Sequence, residues 1–504
     1  MARTIIDLLR KDDWLIGDDS RQLAKIAEEL YLTLTIQRES PAKILLVERE
    51  PIRFLAAFIA ACAADCQVFL ANPDWGKSEW RQVLELVQPD LIWGVAEWGN
   101  GGDFDKTSSI DITQLPSPPL PSPPYPLIMI PTGGSSGEIK FAIHTWETLT
   151  ASVRGFATFF QKTQINSFCV LPLYHVSGLM QFMRSLLTGG QLAIVPFKDL
   201  HQNQKSALDI SDFLISLVPT QLQQLLQSNS HHWLSKFSTV LLGGAPAWTE
   251  LLEQAKAYKI RLAPTYGMTE TASAIAILKP DDFLNGQASC GQILPQAKVT
   301  ILNIQGEILN PSQVGNLKIQ SKSLTLGYYP HRRSQDYLQL DDLGYFDDRG
   351  YLHIIGRDSD KIITGGENVY PAEIESAIRS TQMVTDVCVI GITDKYWGQA
   401  VTAFYVHSYC NTSTDVYREV SEAIATRLKE QLSKFKIPKY WIPLSTLPRN
   451  SQGKINRQQL RKIAEEWGRG GVGDGGSGNV ENFSFIISPL SHSAIDLSPQ
   501  SNLF

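Results

Sequence analysis

Short apolar runs alternate with amphipathic stretches through the first half of the chain. Lys43–Val47 reads as a buried strand, Pro51–Ala61 as the helix after it, and Val68–Leu70 as the next strand, stopped by Asn72-Pro73. Trp80–Val87 carries an amphipathic helical pattern and Leu91–Gly94 a further strand. This β-α-β rhythm predicts a mostly parallel sheet covered by helices. It resumes at the apolar run Leu127–Ile130. Leu149, Val153, Phe156 and Phe160 then recur at helical spacing within Trp146–Phe160, with Thr145 as N-cap. Strands are expected at Cys169–Leu173, Ile215–Val218, Thr239–Leu242 and Arg261–Pro264, and a helix from Thr220 with Gln223 in capping-box position. From about Gly291 the pattern shortens to strands and turns, such as Val299–Asn303 and Asn316–Ser321. A hairpin is expected at Asp347–Gly350, between Tyr345–Phe346 and Tyr351–Ile355. Pro371 at a helix start, a strand at Val387–Ile392 and a helix at Val416–Leu432 mark a different unit.

The fold expected is α/β. A large N-terminal domain over residues 1–357 holds helix-covered, mostly parallel sheets plus a small β-rich subdomain. A small α+β domain follows over 358–465, then a glycine-rich tail over 466–504 that is expected to be disordered. The tail holds seven glycines between Gly468 and Gly478, and Leu115–Pro126 holds seven prolines, which predicts an extended surface connector.

Composition narrows the function. The 504 residues are 43% hydrophobic and 19% charged, an ordinary globular balance, and the net charge of −6 gives no basic footprint for nucleic acid. Six cysteines form no CxxC pair, so neither a zinc site nor a disulfide framework is expected, and a cytoplasmic location fits. The opening MARTIIDLLRKDD lacks the apolar core of a signal peptide. Phe54–Ala71 is apolar enough to resemble a membrane span, but Asp65, Cys66 and Gln67 favour a buried helix followed by a strand.

Candidate chemistry centres on Ile130–Lys140, IPTGGSSGEIK. Gly133, Gly134 and Gly137 let backbone N–H groups approach an anion; Thr132, Ser135 and Ser136 add hydroxyls, and Lys140 adds charge. This is phosphate-cradling chemistry without Walker spacing. Several strand ends deliver further motifs: LPLYHVSGL (Leu171–Leu179), GGAP (Gly243–Pro246) and YGMTETAS (Tyr266–Ser273). In open α/β sheets ligands sit beyond such strand ends. Singly, each motif has a plainer reading. His175 suits a structural histidine, Glu270 a helix-start carboxylate, Asp342 ordinary turn chemistry, Arg357 a surface ion pair with Asp358 or Asp360, and Lys454 an exposed lysine. Tyr266 and Tyr345 suit a core.

Together, the order is distinctive. The Gly/Ser/Thr loop with its lysine, LPLYHVSG, GGAP, YGMTE, D-L-G-Y-x-D, G-R-x-S-D, G-G-E-N-x-Y-P-x-E-I-E and P-R-N-x-x-G-K follow one another. Over about residues 40–460 the chain resembles the adenylate-forming superfamily of acyl- and aryl-CoA ligases, peptide-synthetase adenylation domains and luciferases. LANPDW (Leu70–Trp75), SLVPTQLQQLL (Ser216–Leu226), YGMTETAS and GRDSDKIITGGENVYPAEIE (Gly356–Glu375) resemble the branch of o-succinylbenzoate–CoA ligases of menaquinone and phylloquinone synthesis.

The resemblance implies an ATP- and Mg²⁺-dependent ligase that joins a carboxylic acid to coenzyme A through an acyl-adenylate. Thr132–Gly137 and Lys140 would hold the β- and γ-phosphates. Thr269 would contact the α-phosphate and Glu270 would ligate Mg²⁺. Tyr266, with Gly267 beside it, and Gly243, Gly244 and Ala245 would flank the adenine. Asp342, helped by Arg357, would bind the ribose hydroxyls. His175 would shape the carboxylate pocket. Ser359 would be the hinge of the C-terminal domain, Lys454 its mobile catalytic lysine, and Gly365 and Gly366 part of the pantetheine channel.

The chain also departs from the family pattern. Gly133 stands where most relatives carry serine, Ser135 and Ser136 where many carry threonine, Ile139 where proline is usual, and Phe141 where glycine is usual. Slower or altered phosphate handling is expected from these changes. Leu340-Asp341 replaces the Thr-Gly before the ribose aspartate. Ser177 and Ser273 follow the motifs a second substrate carboxylate would meet, but no sequence rule places either. Benzoate, coumarate or fatty-acid CoA ligases, a carrier-loading adenylation enzyme and a nucleotide-binding regulatory module are the alternatives. The oligomeric state, a homodimer included, stays open.

Overall fold

In the computed structural model, residues 2–10, 13–36, 40–94, 126–133, 139–200, 208–365, 367–394, 396–407, 414–449 and 455–470 are described. The chain divides into two units, Met1–Ile355 and Gly356–Phe504.

The first unit contains three sheets. In a seven-stranded sheet, Leu91–Trp93, Lys43–Leu46, Gln67–Leu70 and β1 (Leu127–Gly133) run parallel. β2 (Ile139–Thr145) then pairs antiparallel with β1, with Thr132 opposite Lys140 and Gly133 opposite Ile139. The expected loop Ile130–Lys140 therefore has strand shoulders, and only its centre, residues 134–138, lies outside the described residues. The helix between the first parallel strands, Pro51–Ala63, starts where Pro51 needs no N–H partner and Glu50 accepts the N–H groups of Ile52 and Arg53. Eleven of its residues are buried, and the strand Gln67–Leu70 follows directly. No described helix is long and apolar enough to cross a membrane.

An eight-stranded sheet is parallel from Leu15–Ile16 through Leu192–Ile194, Asn166–Cys169, Phe213–Leu217 and β3 (Thr239–Leu242) to β4 (Leu262–Met268). β5 (Ser273–Ile277) and Gln292–Ile293 complete it antiparallel. Two helices carry site residues into this region: α1 (Trp146–Phe160) and α2 (Val176–Thr188). Thr145 caps α1 as expected, accepting the N–H of Thr148. Two expectations shift. The strand predicted over Cys169–Leu173 ends at Cys169, because the turn His175 N–H to Pro172 carbonyl already leads into α2. The helix expected from Thr220 begins at Pro219, and Gln221, not Gln223, closes the capping box by accepting the Val218 N–H.

The four-stranded third sheet orders Ala297–Leu302, Gly315–Ser321, β7 (Tyr337–Phe346) and β8 (Leu352–Arg357). Asp347–Gly350 makes the turn between its last two strands. Between the second and third of these strands in sequence, β6 (Gly327–Tyr328) leaves to pair antiparallel with β2, Tyr328 opposite Ala142. That excursion brings a distant segment beside the β1–β2 hairpin.

The second unit is α+β. Val384–Asp394 and Gly398–His407 form a long antiparallel pair, extended by Ile362–Thr364, Glu367–Val369 and Tyr440–Pro443. Pro371–Ser380 and Thr414–Gln431 pack their apolar faces, Ile374, Ile378, Ile424 and Leu428 among them, on Val387, Val389 and Val401.

Candidate active site

The site is built around the turn Thr269–Ala272, between β4 and β5, and the first residue of β5, Ser273. The strands slip register at Tyr266 and Gly267, where a side chain on Gly267 would meet the Ser273 carbonyl oxygen at 2.2 Å. Ala272 and Ser273 then adopt left-handed backbone, φ 51° and 90°, which neither residue favours. Hydroxyls from three places hold that conformation. Thr271 donates to the Ser273 carbonyl at 2.6 Å, Ser152 of α1 to the Ala272 carbonyl at 2.6 Å, and Ser323 to the Thr271 carbonyl at 3.0 Å. Strained backbone of this kind persists where the surroundings over-determine it.

His144 ties the turn to the β1–β2 hairpin. The ring is fully buried; its Nε2 lies 2.8 Å from the Thr269 carbonyl and its Nδ1 3.1 Å from the Thr148 hydroxyl. A carbonyl only accepts, so Nε2 carries the proton and Nδ1 of the neutral ring accepts from Thr148. Burial pushes its pKa down to about 4, which keeps it neutral.

The turn carries Glu270, 9% exposed. Tyr328 of β6 donates to its Oε1 at 2.6 Å, and the Thr132 hydroxyl of β1 approaches the same oxygen at 3.5 Å. Among the described residues no lysine or arginine pairs with it. A buried carboxylate surrounded by neutral donors is costly without a cation. A hard divalent ion that takes oxygen ligands, such as Mg²⁺, fits this donor set.

On the other flank of the turn sits Arg184, which the motif reading missed. It lies on α2, 3% exposed. Its Nη2 donates to Ser273 Oγ at 3.0 Å, and its guanidinium lies 4.0 Å from the Phe156 ring centroid. Its Nε has no partner, and among the described residues no carboxylate pairs with it. Burial pulls its pKa down to about 10. Gln181, one turn earlier and 2% exposed, gives its Nε2 to the Ser177 carbonyl and leaves Oε1 without a partner. Ser273, flagged by sequence, is thus the neutral neighbour of a buried cation. His175 takes the N-cap position of α2 and packs its ring on Tyr174 at 4.5 Å.

The residues expected at the nucleoside lie on β4 and β7 and just beyond β3. The Tyr266 hydroxyl donates to Asp342 Oδ2 at 2.5 Å, and Asp342 is 8% exposed. Beyond β3, Gly243 and Gly244 run past β4. A side chain on Gly243 would meet Thr265 Oγ1 at 2.4 Å, Gly244 has φ +82°, and Ala245 is exposed. Thr132 and Glu270 thus form one bonded pair and Tyr266 and Asp342 another, and β4 runs from Tyr266 directly into Thr269 and Glu270. Lys140, two residues before the point where β6 joins β2, is exposed.

Arg357 and Ser359 belong to the second unit and are exposed there. Gly365 turns with φ +57° and donates its N–H to the Trp397 carbonyl at 2.9 Å. Gly134, Ser135, Ser136, Gly137, Gly366 and Lys454 lie outside the described residues.

The chain is similar in sequence and in fold to known proteins. The 2-succinylbenzoate–CoA ligase of Oceanobacillus iheyensis is 35% identical over 300 residues, 58% of this chain and 60% of that protein's length. The 2-succinylbenzoate–CoA ligase of Bacillus anthracis is 34% identical over 348 residues, 68% of this chain and 70% of that protein. The o-succinylbenzoate CoA synthetase of Bacillus subtilis, solved with the acyl-adenylate intermediate OSB-AMP, has the same fold. Its TM-score is 0.75 at 23% identity, over 91% of this chain and 97% of that one. The profile described as "AMP-binding enzyme" matches residues 20–329, and "AMP-binding enzyme C-terminal domain" matches 373–454. With Thr132, Tyr266 and Glu270 inside the first matched range and Asp342 bonded to Tyr266 just beyond it, the chain belongs to the AMP-binding enzyme family.

Proposed function

We propose that the protein is an AMP-forming acid–CoA ligase that converts o-succinylbenzoate, ATP and coenzyme A to o-succinylbenzoyl-CoA, AMP and pyrophosphate. A carboxylate oxygen of the acid attacks the α-phosphorus of ATP, and the bond to pyrophosphate breaks. The thiolate of coenzyme A then attacks the acyl carbonyl and expels AMP. The first step brings two anions together. Glu270 would hold a magnesium ion, which supplies positive charge at the phosphates. Thr132 and Lys140 would bind the β- and γ-phosphates, and Thr269 the α-phosphate, with its carbonyl pinned by His144. Asp342, aimed by the Tyr266 hydroxyl, would accept the ribose hydroxyls. Lys454 would bring a mobile charge to the attacking carboxylate in the first half-reaction only.

The observation that carries the choice of acid is Arg184. A buried guanidinium with one serine partner and an orphan N–H suits an anion brought by the substrate. o-Succinylbenzoate has two carboxylates. One is activated, and the other would meet Arg184 across the turn from the metal side. A monocarboxylic benzoate or fatty acid would leave that cation unanswered. The names of the two relatives at 34–35% identity support the same acid.

The test is pyrophosphate release against a panel of carboxylic acids with free coenzyme A, with products weighed by mass spectrometry. o-Succinylbenzoate is expected to lead the panel. Preference for simple benzoates or fatty acids overturns the substrate assignment. Lys454→Ala is expected to abolish adenylation and leave thioester formation from supplied adenylate nearly intact. Persistent adenylation removes Lys454 from its role.

A further inference from the structure

Among the described residues, Glu270 receives its hydrogen bonds on one oxygen only. Tyr328 and Thr132 both point at Oε1, and among the described residues no donor reaches Oε2. The two donors are unequal. At 2.6 Å the phenol makes a short charge-assisted bond, whereas 3.5 Å is the outer limit for a hydroxyl. Tyr328 comes from 58 residues further along the chain, on a two-residue strand that leaves the third sheet to pair with β2 opposite Ala142. The segment is held there from both sides. Thr325 donates its N–H to the Glu270 carbonyl at 2.8 Å and its hydroxyl to the Ile143 carbonyl at 2.9 Å. Tyr329 donates its N–H to the Phe141 carbonyl at 2.9 Å and sets its ring edge-on to Phe69 at 4.8 Å. The backbone that carries the phenol is therefore tied down on both sides, while Tyr328 itself is 38% exposed.

We infer that Tyr328 is a positioning residue for the metal site. It holds the Glu270 carboxylate through Oε1 and leaves Oε2 as the oxygen that would hold a divalent ion. Outer-shell partners of this kind orient ligating groups, and their loss costs about 10- to 100-fold in metal affinity or activity. Without the phenol the carboxylate can rotate, and the ion loses a fixed ligand. The inference rests on the ligase reading of Glu270 given above.

The test uses the full-length protein with ATP and Mn²⁺ as a paramagnetic probe, bound ion being read by electron paramagnetic resonance. Tyr328→Phe keeps the ring and removes only the hydroxyl. The expected result is about a tenfold weaker Mn²⁺ dissociation constant, an unchanged melting temperature without ligand, and activity recovered by raising Mg²⁺ while KM for the acid holds. Mn²⁺ affinity within twofold of the parent protein overturns the inference. A double-mutant comparison keeps the question open to test even if Tyr328→Phe is less stable. In a Glu270→Gln background the Tyr328→Phe penalty on Mn²⁺ binding should vanish, and a penalty of undiminished size means that Tyr328 acts elsewhere. A parent protein that binds ATP and turns over with no divalent ion defeats the underlying ligase reading instead, a result distinct from the others.

Discussion

Glu270 and Arg184 stand on opposite flanks of the same turn and make opposite demands. Each is buried, 9% and 3% exposed, and among the described residues each is hydrogen-bonded only by hydroxyls: Tyr328 and Thr132 for the carboxylate, Ser273 for the guanidinium, which also lies over the Phe156 ring. They do not form an ion pair. Two unanswered buried charges of opposite sign would ordinarily be drawn together, because an unpaired one costs several kcal/mol. Left-handed Ala272 and Ser273, held by Ser152 and Thr271, turn the chain back into β5, so that Glu270 meets Tyr328 and Thr132 while Ser273 meets Arg184. On the proposed ligase reading the turn would be a partition: one flank would take a cation and the other an anion, and the reacting carboxylate and α-phosphate would meet between them.

The strongest way to break this comparison is to neutralise the metal flank. Glu270→Gln keeps the shape and the partners but removes the charge. It should lower kcat/KM for pyrophosphate release by about a thousandfold, at the upper end for loss of one electrostatic group, and flatten the Mg²⁺ dependence. Acid preference should not move. If Glu270→Gln changes the ranking of acids instead, the turn does not partition the site.

Neutralising the anion flank should do the reverse. Arg184→Met should cost about a hundredfold in kcat/KM for o-succinylbenzoate, the worth of a hydrogen-bonded charge, and leave the Mg²⁺ requirement as it was. Simple aryl acids should lose little. The ligand-free protein should melt higher, because a buried cation with an orphan Nε has been replaced by an apolar chain. A lower melting temperature with no change in acid preference would make Arg184 structural. Since the two flanks share no partner, the losses in the double variant should add.

The elements of this site were legible to different degrees. Strands and helices set by local pattern, such as Thr239–Leu242, Trp146–Phe160 with its Thr145 cap and Pro371–Ser380, stand where periodicity and capping place them. Ile139–Thr145 was hidden as a strand because the Gly/Ser run before it reads as loop, although Phe141, Ala142 and Ile143 are all buried. Pro219 outweighed Thr220 as a helix start because proline at the first helical position gives up no hydrogen bond. Arg184 was invisible for a different reason. A charged residue in an amphipathic helix reads as its wet face, yet α2 is buried continuously from Gly178 to Leu186. Tyr328 on Glu270 is a long-range pairing that no local pattern encodes. Motif order named the candidate residues, and the fold shows what surrounds Glu270 and Arg184.

The smallest effect at neutral pH belongs to His144, and it sharpens the comparison by testing what holds the partition in place. Its folded pKa is depressed from 6.5 to about 4, chiefly by burial. Between those values the unfolded chain binds the extra proton and the folded one does not. Stability therefore rises with pH across that window, is complete above it, and is lost as pH falls from 6.5 towards 4. The depression corresponds to about 3 kcal/mol over the whole window. His144→Gln retains an N–H for the Thr269 carbonyl but cannot titrate. At pH 7 it should change stability by about 1 kcal/mol or less and leave both flanks working. Unfolding followed from pH 7 to pH 4 should show a visibly shallower loss than in the parent protein. An unchanged slope would mean that the acid sensitivity arises elsewhere, and that the turn keeps its two charges apart without help from the hairpin.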